Sequence, residues 1–209
     1  DDHAGKSSTV AYQSEQALAA HLIPSFYPAN VGEIVHFSLM AFALSRHSGL
    51  WTAVKCVTEV VEQTATVDIA LDDFRALLPD VANVPPEGLH STHRAFDPLR
   101  SEQITVEYRL PLIVPFVRAN RIDRTDFRAE NPCLAIVSAG KSYGDTRQAL
   151  AMLGFDEAKA KALGISLYKV GCIWPLDGEG LYGFARGHAE LLVVEEKRAF
   201  LEEQIAGAL

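Results

Sequence analysis

Apolar residues at Ile34, Val35, Leu39, Phe42 and Ala43 fall at helical spacing, which predicts a helix from Val31 to His47 that stops near Gly49. Ahead of it, Thr9 to Ala20 gathers good helix formers toward its end, with Ser7 and Ser8 placed to cap the first turn. Ile23 to Pro28 is a short extended candidate bounded by prolines. Leu50 to Val61 mixes Trp, Thr, Val and Cys as a strand does, and Thr64 to Ile69 predicts a second short strand. The N-terminal third therefore alternates helix and strand.

The pattern breaks between Asp72 and Pro132. Pro79, Pro85, Pro86, Pro98, Pro111, Pro115 and Pro132 punctuate this stretch, and Arg94, Arg100, Arg109, Arg118, Arg121, Arg124 and Arg128 recur through it. It predicts a connection laid as extended chain over another surface, apart from a helix over Leu110 to Asn120 started by Pro111. Regular alternation then returns. The order is strand Leu134 to Ser138, helix Tyr143 to Leu153, strand Ser166 to Val170, helix Gly178 to Arg186, strand Leu191 to Glu195 and helix Ala199 to Leu209. Three parallel strands leave open edges, so further chain or a partner is expected to cover them. The class is α/β: two partial αβ domains with parallel sheets, over residues 1–71 and 132–209, joined by an interdomain linker over 72–131.

Composition narrows the function. With 209 residues, 48% hydrophobic and 22% charged, the chain can bury a sizeable core. A net charge of -8 argues against a nucleic-acid surface, which needs clustered Lys and Arg. Cys56, Cys133 and Cys172 stand singly in or beside apolar runs and read as buried thiols; no CxxC pair or Cys/His cluster with metal spacing accompanies them. No run of about eighteen apolar residues spans a membrane. The start has neither an initiator Met nor the apolar core of a signal peptide, so the expectation is a cytoplasmic protein whose natural chain extends before Asp1.

The richest polar stretch is Asp1-Asp2-His3-Ala4-Gly5-Lys6-Ser7-Ser8, which runs into the first predicted helix. Free backbone N–H groups at a helix start attract carboxylates and phosphates, so this is either an anion-holding loop or a plain capping turn. In the first role Lys6 supplies charge while Ser7 and Ser8 supply directed donors. A second tripeptide, Gly140-Lys141-Ser142, fails the phosphate-loop pattern because Ala135 stands where a glycine is needed. It reads instead as a strand-to-helix turn capped by Ser142 or Asp145. His90 and His93 have an i, i+3 spacing with no acidic or cysteine partner nearby, which makes a poor metal site. His21, His36 and His47 read as packing residues, and no nucleophile-elbow spacing is present.

The opening loop, continued by Tyr12-Gln13-Ser14-Glu15, resembles the Asp-Asp-x-x-x-x-Ser-Ser loop in the pyrimidine-binding domain of thiamine diphosphate-dependent 2-oxoacid:ferredoxin oxidoreductases, most closely the long, fused indolepyruvate type. Ser48 to Glu59 resembles a strand of that domain, and Phe116 to Arg124 part of the interdomain segment. Lys169 to Leu176 and Val193 to Arg198 resemble the family's transketolase C-terminal-like domain.

The resemblance implies an internal portion of an enzyme that oxidatively decarboxylates aryl 2-oxoacids to acyl-coenzyme A and passes electrons to ferredoxin. Thiamine diphosphate, magnesium and iron–sulfur clusters would belong to the full enzyme, none being bound by this chain alone. No catalytic residue and no metal ligand is carried over. His3, Lys6, Ser7 and Ser8 become substrate- or cofactor-facing residues, with Lys6 the charge partner of a carboxylate and His3 a proton donor or polar contact. The second domain would pack against the first and against another subunit of a homodimer, with the arginine-bearing linker across that contact. Another thiamine diphosphate enzyme is disfavoured by the Asp-Asp…Ser-Ser loop followed by Trp174-Pro175-Leu176. A non-catalytic assembly or regulatory module with the same fold is the alternative.

Overall fold

The computed structural model describes residues 12–68, 74–90 and 97–209. The longest helix forms where the apolar spacing predicts it. After α1 (Glu15–Ala20) and β1 (Ser25–Phe26), α2 runs Val31–Ser48 and buries Phe37, Met40, Ala41, Leu44 and Ser48 along one stripe. Asn30 caps its start by accepting the Glu33 N–H, and Glu33 reaches back to accept the Ala29 N–H at 2.8 Å. Gly49 ends it in the left-handed conformation (φ 77°), donating to the Ser45 carbonyl. A β-carbon there would sit 2.4 Å from the Leu89 carbonyl oxygen, so only glycine fits.

The run after Gly49 is strand only at β2 (Ala53–Val54), and Thr58–Val61 forms a one-turn helix, α3. The β-branched residues expected to extend the strand thus turn helical, because Val57 and Val60 are needed inside the core. Residues 64–68 are irregular rather than a second strand, and Ile69 lies outside the described residues.

The proline-rich stretch holds more helix than its composition suggests. Asp97 caps α4 (Pro98–Ile104), which continues through a π turn at Thr105–Arg109 and a 3-10 turn at Leu110–Leu112 into α5 (Ile113–Ala119). Pro98, not Pro111, occupies the helix start. Pro111 lies within the 3-10 turn, where the change of hydrogen-bonding pattern accommodates its missing N–H. The buried Ile113, Phe116 and Val117 of α5 pack with Phe37, Met40 and Leu44 of α2.

The remainder is β3 (Arg124–Phe127), β4 (Leu134–Ala139), α6 (Gly140–Met152), α7 (Glu157–Ala162), β5 (Ile165–Val170), β6 (Cys172–Trp174), α8 (Gly178–Ala185), β7 (Glu190–Val194) and α9 (Leu201–Ala208). Four strands make one sheet in the order β3-β5-β4-β7; β5, β4 and β7 are parallel and β3 lies antiparallel on the β5 edge. The chain's own β3 therefore covers one of the two edges that the sequence leaves open. The other sheet, β2-β1-β6, pairs β1 with β2 in parallel and with β6 antiparallel. Only Gly171 separates β5 from β6, so consecutive strands serve different sheets.

Of the three cysteines only Cys172 is buried; Cys56 is intermediate and Cys133 exposed, which corrects the expectation of three buried thiols. Cys133 precedes β4, where its backbone receives the Ala189 N–H at 2.8 Å while the side chain stays outside. Among the described residues no helix is long and apolar enough to cross a membrane.

Candidate functional site

In an open α/β sheet the natural crevice lies beyond the carboxyl ends of strands whose crossovers diverge. Here that place lies between β4, which feeds α6 and then β5, and β7 on its other side. The first residue of α6, Gly140, has φ 50°, and the Lys141 N–H just after it is directed at the hydroxyl of Tyr27 from the other sheet. That phenol donates in turn to Glu196 Oε1 at 2.6 Å. Burial, together with the adjacent Glu196 carboxylate, pushes the Tyr27 phenol up, so it remains a donor at any physiological pH.

The turn Gly140-Lys141-Ser142 is thus the first turn of α6 itself, with Ala139 at the cap position and no side-chain cap. Neither Ser142 nor Asp145 caps it as the sequence suggests. Tyr27 occupies the place of a cap, Ser142 is buried, and Asp145 forms an i, i+4 ion pair with Lys141 at 2.6 Å.

Around Tyr27 a charged cluster is sealed from water. Lys55, just past β2, stacks over the Tyr27 ring at 4.1 Å, is ion-paired with Glu15 at the start of α1, and lies 3.6 Å from Glu196 Oε2. The Lys55, Glu15 and Glu196 side chains are 2, 6 and 7% exposed, so their charges are held by one another rather than by solvent. Glu195 accepts from the N–H groups of Phe200, Leu201 and Glu202 and so fixes the start of α9. Burial nevertheless raises its carboxyl above the usual range against those three donors. A cavity of about 10 Å³ remains, lined by Glu15, Tyr27, Glu195 and Glu196 among others. That is room for one water, so Tyr27 and Glu196 fill the crevice that in other α/β proteins takes a ligand.

A second buried ion pair joins α2 to the larger sheet. Lys169 on β5 is wholly buried, ion-paired with Glu33 of α2, and lies 4.9 Å from the centre of the Tyr143 ring and 5.5 Å from that of Phe37. Arg124 approaches the same Glu33 oxygen at 3.3 Å. Burial opposes ionisation of Glu33, but Lys169, the Ala29 N–H and Arg124 outweigh it and hold the carboxyl below its ordinary range.

Asp123 is a buried carboxyl that titrates near neutrality. Its Oδ1 accepts the Gly171 and Cys172 N–H groups at 2.7 and 2.8 Å, and its Oδ2 is buried without a partner among the described residues. Burial of the carboxylate, with a smaller contribution from Asp177, raises its pKa to about 7 despite those two donors. The unfolded chain then releases this proton near pH 4 and the folded chain near pH 7. Between these values the folded form binds more protons, so this group makes stability fall with rising pH by up to about 1.4 kcal/mol per unit, with no further change above pH 7. Asp123→Asn keeps an oxygen for both donors and removes the titration. Urea melts from pH 4 to 8 should show the decline in the wild-type chain and a flatter profile in the variant; parallel profiles would exclude Asp123 as the cause.

On the outer surface a cleft of about 720 Å³ opens beside Val114, Pro115, Arg118, Asp177, Tyr182 and Ala208. Arg118 grips Asp177 through two guanidinium nitrogens and reaches Glu179 at 2.9 Å. Other arginines of the 97–128 stretch are likewise engaged within the chain: Arg124 with Glu33, and Arg128 with the Gly183 and Arg186 carbonyls at the end of α8.

His3, Lys6, Ser7 and Ser8 lie outside the described residues, as does His93. Among the described residues no three His, Cys, Asp or Glu side chains are grouped to hold a metal. His21 bonds the Ala17 carbonyl at the end of α1, and His36 and His47 pack on Phe74 and Phe116. The Glu15, Lys55, Tyr27 and Glu196 cluster escapes a reading of the sequence because its members are far apart in the chain. The one signal is Lys55 within the apolar run Ala53-Val54-Lys55-Cys56, where a lysine implies a buried carboxylate partner.

Residues 125–209 match the family model described as indolepyruvate oxidoreductase domain. This stretch is similar in sequence to that domain. The fold is also that of a solved 2-oxoglutarate:ferredoxin oxidoreductase from Magnetococcus marinus with 2-oxoglutarate, coenzyme A and succinyl-CoA bound. The TM-score is 0.62 at 13% sequence identity, over 94% of this chain and 40% of that one. No curated protein matches the chain in sequence.

Proposed function

We propose that this chain is part of an oxidoreductase that oxidatively decarboxylates indolepyruvate or a related aryl 2-oxoacid. The match of residues 125–209 to an indolepyruvate oxidoreductase domain carries the reading. In the reaction a 2-oxoacid anion and coenzyme A give acyl-coenzyme A, carbon dioxide and one proton. Two oxidised ferredoxins would take up the two electrons released, with iron–sulfur clusters held by other parts of the full enzyme as the carriers. Thiamine diphosphate supplies the electron sink that lets the carboxyl carbon leave, and it would be held, with magnesium, by other parts of the full enzyme.

Within that enzyme His3, Lys6, Ser7 and Ser8 face the substrate or cofactor, Lys6 holding the oxoacid carboxylate so that it is oriented before carbon dioxide leaves. Residues 1–71 belong to a pyrimidine-binding domain and 132–209 to a transketolase C-terminal-like domain, joined by 72–131, in a cytoplasmic homodimer. The filled crevice at β4 and β7 supports a packing role for the second domain. Lys6→Ala in the complete enzyme should raise the Michaelis constant for the oxoacid by about tenfold or more, the loss of one charge-assisted contact. An unchanged constant removes Lys6 from the site. The alternative, a non-catalytic assembly module, predicts no turnover of any 2-oxoacid by the complete protein.

A further inference from the structure

We infer that Asp123 is a proton-operated latch on the crossing between the two sheets: with its carboxyl neutral the crossing stays closed, and with its carboxyl ionised the crossing opens locally. The inference concerns the fold itself and holds whatever reaction the full enzyme performs. Gly171 and Cys172 carry the chain from β5 of the larger sheet into β6 of the smaller one. A Schellman turn at the end of α5 brings Asp123 to that point. Arg121 takes φ 52°, its N–H donates to the Arg118 carbonyl, and the Ile122 N–H donates to the Val117 carbonyl, both at 3.1 Å. Asp123 Oδ1 then receives both N–H groups of the crossing, at 2.7 and 2.8 Å, while the Gly171 carbonyl accepts the Tyr27 N–H at 2.8 Å. One carboxyl oxygen thus holds two successive residues where the chain changes sheets.

The surroundings favour the neutral carboxyl. Its Oδ2 is buried without a partner among the described residues. The groups that act on it are Asp177 at the start of α8, Lys169 and Tyr168 on β5, and the Cys172 thiol on β6. Asp177 is a like charge, fixed in place by Arg118, whose guanidinium is taken up by Asp177 and Glu179. Lys169 is the cation of the group, and it is paired with Glu33. Burial pushes up both the Tyr168 phenol and the Cys172 thiol, so neither supplies a charge, and the thiol donates to the Trp174 carbonyl at 3.3 Å. An ionised Asp123 is therefore a buried charge short of partners, and opening the crossing to water relieves it. The closed crossing keeps its proton up to about pH 7, whereas a solvated one releases it near pH 4. Raising the pH then favours the open form about tenfold per unit between these values and has no further effect once both forms are ionised.

Cys172, wholly buried at the latch, reports the opening. In the complete protein its modification by dithiodipyridine is read by peptide mapping and divided, at each pH, by the rate for the unfolded chain. This ratio should rise at least about tenfold from pH 5 to 7 and change less than about twofold from pH 7.5 to 8.5. It should also exceed, by about tenfold or more, the opening that amide exchange in β4 reports for the larger sheet as a whole. Asp123→Asn, which keeps an oxygen for both donors, should be slow at every pH; Asp123→Ala, which keeps none, should be fast at every pH. A wild-type ratio flat with pH overturns the latch. Modification no faster than β4 exchange also overturns it, because Cys172 is then reached only by unfolding of the sheet. A pH-dependent rise that persists in either variant assigns the titration to another group and overturns it as well.

Discussion

Replacing Gly140 by alanine should destabilise the chain by about 3 kcal/mol or more, the sum of left-handed backbone strain and an overpacked neighbour. An added β-carbon would lie 2.2–2.3 Å from ring atoms of Tyr27, with the backbone at φ 50°. Tyr27 has nowhere to go. Its ring belongs to the central core cluster, its hydroxyl joins the start of α6 to Glu196, and Lys55 stacks on its face. Shifting the ring would free the Lys141 N–H and leave Lys55 and Glu196 poorly paired in a dry site. Urea-denaturation midpoints measure this directly. A loss below about 1 kcal/mol would mean that the crevice can open.

The second large effect is expected at Lys169. Lys169→Ala removes a fully buried cation and leaves Glu33 with Arg124 as its remaining cationic partner, which predicts a loss of about 3–5 kcal/mol. Lys169→Met retains the stem that lies among Phe37 and Tyr143, so the difference between the two variants reports packing and the remainder reports charge. Glu33→Gln should cost less in the Lys169→Met background than in the wild type, because each single change strands the other partner. Additivity within about 0.5 kcal/mol would show that the pair is not coupled. The pair joins the N-terminus of α2 to the middle of the larger sheet, so its loss should also loosen the packing of α2 on that sheet.

Elements with a strong apolar period were legible in the sequence, and those formed by tertiary demand were not. α2, β4, β5, β7, α8 and α9 lie where the pattern predicts them. α7 has no signature in the sequence because Glu-Ala-Lys-Ala-Lys-Ala shows no apolar stripe; it is a surface helix that buries only Ala160. β3 reads as a charged segment because Arg124 and Asp126 project toward ion pairs with Glu33 and Arg147. β6 is three residues long, too short for any period to register. Of the helical run from Pro98 to Ala119, the part from Leu110 falls within the helix predicted over Leu110 to Asn120, whereas Pro98 to Arg109 lies in the stretch read as extended chain. The chemistry of the interior was the least legible part. Glu15 and Glu196 are ordinary surface letters until the fold brings them together, and only Lys55, set in an apolar run, announces locally that it will be sealed in.

Gly171 gives the short step from β5 to β6 a consequence for how such a protein can be divided. A β-carbon at Gly171 would lie 2.4 Å from the Ile122 carbonyl oxygen and 2.9 Å from the Phe37 ring, so the passage from one sheet to the other runs through a gap with no room to spare. Severing the molecule within residues 74–90 would not yield two independent pieces. The first would keep β2 beside Ser25 and Phe26 but lose β6 from their other side, and the second would keep β6 without its partner β1. The two sheets thus form one cutting unit: a piece bearing either of them is complete only if it carries both β1 and β6.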